Sequence, residues 1–253
     1  MSQPPSTDVR AIGLVRVVAT TGEGAVRMVA DAVAADRAEV FAFCNAHSVN
    51  LARRDPAFAR VLNRAVVFND GVGLDIAGRW LHGQPFPENL NGTDLTGRVL
   101  AALERTGARV FLLGSPPGVA DAAARVIAER FPGLVIAGVR HGFFDLHDPE
   151  VAEQVAAARP DVVLVGMGQP RQEYWAAANR ERLGCVQLCV GAYLDFVSGT
   201  MPRAPALVRR ARMEWAYRLW REPRRLAGRY LVGNAVFLAG VARDRLRRGR
   251  SGR

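Results

Sequence analysis

Val66-Val67-Phe68-Asn69-Asp70-Gly71-Val72-Gly73 is a short apolar run that ends on an acidic residue among glycines. A continuous apolar run of this length suits a strand covered on both faces, as in a parallel sheet. Asp70 then stands at the strand end, where Gly71 and Gly73 let another molecule approach the backbone closely. The same residues also suit a plain strand closed by an Asp-Gly turn. The rest of the chain decides between the two.

Five further runs have the same character: Val40–Phe43, Arg109–Leu113, Leu134–Val139, Val162–Val165 and Val186–Val190. Between them lie segments with helical spacing, Ser48–Asn63, Thr93–Thr106, Val119–Phe131, Pro149–Ala158 and Arg171–Leu183. Strand and helix in alternation predict an α/β fold, a doubly wound, mostly parallel sheet with flanking helices (Rossmann-like). In such folds ligands bind beyond the carboxyl ends of the strands.

The chain has 253 residues, 49% of them apolar, enough for one large α/β domain plus an appendage. Its formal charge of +10 is carried by one end. Residues 203–253 hold fifteen arginines against Glu214, Glu222 and Asp244, while the remainder is slightly acidic. The expected division is therefore a core over 1–202 and a basic helical C-terminal appendage over 203–253. Such one-sided basicity points to an anionic partner, whether membrane lipid, nucleic acid or a phosphorylated substrate. Cys44, Cys185 and Cys189 suit a reduced cytoplasmic protein and lack the paired spacing of a zinc site. The polar start from Met1 to Thr7 has no apolar signal core, so export is not expected.

Two more strand ends carry polar residues. Leu113-Gly114-Ser115-Pro116-Pro117-Gly118 runs from a strand through a glycine turn into a helix, whose first N–H groups favour an anion. Gly114 and Ser115 are thus candidates for nucleotide contact, although a simple turn has the same look. Val165-Gly166-Met167-Gly168-Gln169-Pro170-Arg171-Gln172 places amides and a guanidinium after a buried strand. Gln169 and Gln172 can fix a sugar or base, and Arg171 can meet a phosphate bidentately; a helix start with surface Gln and Arg is the alternative.

In this order the motifs resemble the WecG/TagA/CpsF family of bacterial glycosyltransferases, from about Asn45 to about Leu226. The resemblance rests on Asn45-Ala46-His47, Asn69-Asp70-Gly71-Val72-Gly73, Asn91-Gly92-Thr93-Asp94-Leu95, Gly166-Met167-Gly168-Gln169-Pro170-Arg171-Gln172-Glu173 and Gly191-Ala192-Tyr193-Leu194-Asp195-Phe196. The tail adds Arg203-Ala204-Pro205, Glu214-Trp215-Ala216-Tyr217-Arg218-Leu219 and Arg221-Glu222-Pro223-Arg224. It implies transfer of a sugar, often of N-acetylmannosamine type, from a UDP donor to a polyprenyl-diphosphate-linked saccharide at the cytoplasmic membrane face.

The resemblance puts the catalytic base on Asp70 and a catalytic glutamine on Gln172. Donor contacts are expected at Asn45, Gly71, Gly114, Ser115, Gly168, Gln169 and Asp195. Acceptor or diphosphate contacts are expected at Asn89, Arg203, Arg218, Arg221 and Arg224. A carboxylate within hydrogen-bond reach can take the proton of an attacking hydroxyl, which implies one inverting displacement. No Asp-x-Asp pair occurs, so no metal and no cofactor is expected, and arginines and helix N-termini would stabilise the leaving UDP. The chain departs from the family pattern at Phe43, where many members have threonine, and at Asn89, where many have arginine. His47 suits either a donor hydroxyl or a structural hydrogen bond; Thr93 and Asp94 read as capping residues; Asp145 has a weaker claim to the site.

In the tail, Leu207, Ala211, Trp215 and Leu219 recur every four residues, with Arg210, Arg218, Arg221 and Arg225 on other faces. This is a basic amphipathic helix. The apolar run Tyr230–Ala242 falls short of the ~20 residues that span a bilayer. The segment is expected to lie on an anionic membrane surface or to close over the site; a helix packed on the body with a solvated arginine face is the alternative. The protein would then be cytoplasmic and peripheral on the inner face of the membrane, with a homo-oligomer left open. A nucleic-acid-binding module is disfavoured because no reading motif accompanies the tail, and a nucleotide-binding oxidoreductase because G-x-G-x-x-G is missing.

Overall fold

A computed structural model describes residues 8–205, 207–208 and 213–251. Arg210 and Ala211, expected on the basic helix, lie outside them, as do Met1–Thr7.

The chain opens with a hairpin, β1 (Val9–Ile12) and β2 (Val15–Val18), followed by α1 (Gly22–Ala34) and β3 (Val40–Cys44). Helices α2 (Ala46–Arg54) and α3 (Pro56–Asn63) lead to β4 (Val66–Asn69), then α4 (Val72–His82) and α5 (Gly92–Glu104). The second half runs β5 (Arg109–Gly114), α6 (Val119–Arg130), β6 (Val135–Arg140), α7 (Pro149–Ala157), β7 (Val162–Gly166), α8 (Arg171–Ala178), α9 (Arg180–Leu183), β8 (Val186–Cys189) and α10 (Tyr193–Val197). The tail holds α11 (Glu214–Arg221), α12 (Pro223–Ala227), a π-helical turn (Gly228–Val232) and α13 (Gly233–Ser251).

All eight strands form one sheet in the order β1-β2-β4-β3-β8-β7-β5-β6. Only β1 is antiparallel to its neighbour; every other pairing is parallel. The predicted doubly wound sheet is thus the observed one, and strands β3 to β8 sit on the six apolar runs. Their side chains alternate between the faces, as strand geometry requires. Phe41 and Phe43 pack with α1, α5 and α10, while Val40, Ala42 and Cys44 pack with α2, α3 and α4.

Two local differences from the sequence expectation have simple causes. The helix expected over Ser48–Asn63 is two helices, because Pro56 disfavours helical backbone at the residue before it. Asp55 takes an extended conformation, ends α2 and caps α3, accepting from Ala57 N at 2.9 Å and Phe58 N at 3.3 Å. The β1-β2 hairpin was not foreseen: its strands are only four residues each, turned at Gly13 with φ +61°.

The tail is joined to the body through its last helix. Phe237 and Val241 of α13 are buried in the same cluster as Val49, Leu74 and Ala77 of α2 and α4. Phe237 lies against Gly73: a Cβ there would stand 3.4 Å from its ring, at ordinary van der Waals contact. At the helix start Asn50 Nδ2 donates to Gly233 O at 2.7 Å, and further along Arg53 pairs with Asp244.

Candidate active site

The parallel strands deliver their carboxyl ends, and the helices that follow deliver their N-termini, to one side of the sheet. A cavity of about 610 Å3 opens there above β3, β4, β7 and β8. Its floor includes Phe43, Asn45, His47, Asp70, Gly71, Asn89, Asn91, Gly168, Gln169 and Gln172, and its roof is the tail, with Trp215, Leu226, Tyr230, Asn234 and Phe237.

Asp70 is held by backbone and amide hydrogen bonds. Its N–H donates to Cys44 O at 2.8 Å, tying the end of β4 to β3. Residues 88–91 then wrap the strand end as a strap. Leu90 N donates to Asn69 O at 3.1 Å, and Asn69 Nδ2 donates to Glu88 O at 2.9 Å. Gly71 N donates to Asn89 Oδ1 at 2.6 Å, and Asn91 Nδ2 reaches Asp70 Oδ1 at 3.5 Å while its own Oδ1 caps α5. The outcome is a half-buried carboxylate facing the cavity from a braced turn. Gly71 adopts φ +88° with nothing near a Cβ position, so here glycine serves the turn and leaves open space. α4 starts at this turn with no side-chain cap, so its first N–H groups have no capping side chain.

The β7 loop is braced in the same way. Gln169 Nε2 donates to Phe43 O at 2.7 Å and its Oε1 accepts from Ser48 Oγ at 2.8 Å. Asn45 caps α2, accepting from His47 N and Ser48 N at 3.0 and 3.2 Å. Gln172 is buried, and its Oε1 accepts from both Gly168 N at 3.1 Å and Gly191 N at 3.0 Å. Its Nε2 donates to Glu173 Oε1 at 2.8 Å, so its amide links the β7 and β8 loops. Burial pushes the Glu173 carboxyl up to about 7, and pushes the Cys44 thiol well up, which keeps that thiol protonated at neutral pH.

The structure separates the expected site residues into groups. Asn45, Asp70, Gly71, Asn89, Gly168, Gln169 and Gln172 all line the cavity. Gly114, Ser115 and Asp195 stand outside its lining. At Gly114 a Cβ would lie 2.2 Å from Gly166 O, so strand packing alone already demands glycine there. Ser115, at φ +57°, donates through Oγ to Asp195 Oδ2 at 3.0 Å. Asn89 spends its carbonyl oxygen on Gly71 N–H, bracing the turn.

The arginines are also placed differently from expectation. Arg171 does not face the cavity: it donates to Gly142 O at 3.4 Å and to Phe144 O and lies over the Phe144 ring. Arg203 sits at the rim, 2.9 Å from Asp94 and 3.9 Å from Glu214, with its guanidinium over Phe196. Arg221 and Arg224 are exposed and line no part of the cavity; the side chain of Arg218 lies outside those described. The helix expected to start on Thr93 and Asp94 is capped instead by Asn91. Asp145 is exposed and accepts from His147 N at 2.9 Å in its own turn. The sequence carries little signal for Glu173, one residue at the end of a polar motif, or for the roof residue Phe237, one apolar residue in the run Tyr230–Ala242.

A cavity at the carboxyl edge of a doubly wound sheet, holding a carboxylate among amides, stands where α/β proteins bind their ligands. Comparison with known proteins narrows the class. The family model described as "Glycosyl transferase WecG/TagA/CpsF family" matches residues 10–251, and the chain belongs to that family. It is similar to the N-acetylglucosaminyldiphosphoundecaprenol N-acetyl-beta-D-mannosaminyltransferase of Staphylococcus aureus (strain MW2), 31% identical over 201 residues that cover 79% of this chain and 78% of the relative. The protein of the same description from Staphylococcus aureus (strain NCTC 8325 / PS 47) is 32% identical over 176 residues, 69% of this chain and 68% of the relative.

Proposed function

We propose that this glycosyltransferase moves a hexose, of N-acetylmannosamine type or related, from a UDP donor to a polyprenyl-diphosphate-linked saccharide in cell-surface polysaccharide synthesis. The observation that carries the reading is Asp70, a half-buried carboxylate fixed by its turn and facing a cavity large enough for a nucleotide sugar. The relatives' description supplies the acceptor class. An acceptor hydroxyl attacks the anomeric carbon, its proton passes to Asp70, the new C–O bond forms and the bond to UDP breaks with inversion. Asn45 and Gln169 hold the loops against which the donor lies. Gln172 acts as a positioning residue, since both of its amide ends are engaged by protein. The leaving diphosphate is stabilised by the uncapped start of α4 and by Arg203 at the rim, without a metal.

The tail brings the acceptor. Trp220, Leu231 and Val232 are exposed apolar side chains on a segment rich in arginine, the composition of a surface that lies on anionic lipid. Among the described residues no helix is long and apolar enough to cross a membrane. Because α13 is built into the core, Leu231→Glu with Val232→Glu is a cleaner test than truncation. Sedimentation with anionic vesicles should fall while the fold stays intact; unchanged sedimentation would reject membrane docking by this surface.

The substrate pair is tested by UDP release from a panel of UDP-sugars with and without a polyprenyl-diphosphate-linked acceptor, with EDTA in parallel. The reading predicts acceptor-dependent release from one donor that survives EDTA. Loss of release with EDTA would overturn the metal-free step, and release from no donor would overturn the substrate pair.

A further inference from the structure

One buried acid beneath the site has no part in the chemistry just described. Glu173, on the first turn of α8, is 1% exposed. Its Oε1 accepts from Gln172 Nε2 at 2.8 Å, and its Oε2 is buried with no hydrogen-bond partner. Gln172 Nε2 ties this carboxyl to the cavity loops, and the Gln169 amide of the same loop also faces it. We propose that Glu173 is a positioning residue that sets the orientation and polarisation of the Gln172 amide, and so holds the β7 and β8 glycine loops in register in a proton-dependent way.

The argument begins with the amide. Two backbone N–H groups, from Gly168 and Gly191, converge on one end of the Gln172 side chain, so that end must be oxygen. The other end is then a donor buried in the protein and needs an acceptor. Glu173 supplies it. A carboxylate accepts more strongly than a carboxylic acid, and a donor so engaged makes its own carbonyl oxygen a better acceptor. Ionised Glu173 therefore tightens both loop contacts, and protonated Glu173 relaxes them.

The groups facing Glu173 leave it as the titrating member of the cluster. Gln169 and Gln172 are neutral amides. The Cys44 thiol of β3 and the Cys189 thiol of β8 are both pushed up by burial, with the Glu173 charge adding to the shift. Asp70, across β3, also acts on Cys44. No arginine is among the causes that move the Glu173 carboxyl, and burial is the largest of them, which places its titration near pH 7.

The latch rests on the transferase reading only for its consequence in turnover, so the test has one arm free of substrate. Backbone amide shifts of Gly168 and Gly191 in the full chain are followed by NMR from pH 5.5 to 8.5, in the parent and in Glu173→Gln. The expected result is a common titration near pH 7 in the parent and flat shifts in the variant. Donor kcat/KM should show an acid limb at the same pH that the variant lacks, with about fivefold slower turnover at pH 8, the worth of one charge-assisted hydrogen bond over a neutral one. Flat parent shifts would overturn the latch even if the variant did not fold. The same acid limb in Glu173→Gln would also overturn it. Amide titration without any sugar transfer would leave the latch standing and reject the transferase reading instead.

Discussion

The two walls of the cavity are built on different physical terms. The floor is polar and braced: the Asp70 turn, the 88–91 strap and the Gln169 and Gln172 amides are locked by backbone and side-chain hydrogen bonds at 2.6 to 3.2 Å. The roof is aromatic, with Trp215 and Tyr230 6.0 Å apart, and it meets the core through α13, where Phe237 and Val241 are buried and Leu238 packs against their cluster. A braced floor fixes reacting groups to within a fraction of an ångström, which is what a displacement at one carbon needs. An apolar roof held by few anchors suits a substrate that arrives on a lipid. The difference teaches that a side chain's role follows from what holds it as much as from where it points.

Removing the roof's anchor should produce the largest change. Phe237→Ala empties a fully buried aromatic site and should cost about 3–5 kcal/mol in unfolding free energy by chemical denaturation. If instead the variant keeps its stability, α13 is a separable flap and the two walls differ even more than described.

The floor is expected to respond to pH where the roof does not. Glu173 has its carboxyl raised from 4.5 to about 7 in the folded chain, so its contribution is fully present below pH 4.5 and lost as pH rises through 7. Stability attributable to this group should fall by on the order of 3 kcal/mol between pH 4 and pH 8. Glu173→Gln should flatten that dependence and melt higher than the parent at pH 8. The ionised form that tightens the loop latch is thus the form that strains the fold. A parent whose melting temperature ignores pH across this window would remove Glu173 from the account.

Bracing of the Asp70 turn should be measurable at a single contact. Asn89→Ala leaves Gly71 N–H without its acceptor and should cost about 1 kcal/mol, whereas Asn89→Asp, which keeps an acceptor oxygen, should retain most of the stability. Equal loss in both would show that an acceptor oxygen for Gly71 N–H is not what the strap contributes. At the rim, Arg203 is half-screened, and Asp94→Asn should shift stability by only a few tenths of a kcal/mol.

Much of this was legible in the chain. Six apolar runs mark β3 to β8: both faces of a parallel sheet are buried, a condition that leaves a plain signature, although β6 at the sheet edge is only half-buried. Asp70 and the amides of the β7 loop were legible as cavity-lining residues because polar side chains directly after buried strands fall at the carboxyl edge of the sheet. The hairpin was not, since two four-residue strands carry too little pattern. Nor was the break at Asp55-Pro56 read, although proline there states it. Gly114 and Ser115 lie outside the cavity lining, and the glycine has a packing reason that sequence does not show: a glycine demanded by a neighbouring strand reads like a glycine demanded by a ligand. Roles that depend on who reaches whom, such as Asn89 bonding Gly71 or Arg171 turning to Phe144, exist only in three dimensions.

The central claim is that Asp70 removes the acceptor proton, and it is tested most directly by acceptor-dependent UDP release compared between the parent and Asp70→Asn. The carboxamide is nearly isosteric, so the strap and the turn should survive, as circular dichroism and melting would verify. The account predicts a loss in kcat of about 10²–10⁴ with the donor still bound. Release within about threefold of the parent would contradict it, since a general base is worth far more than that.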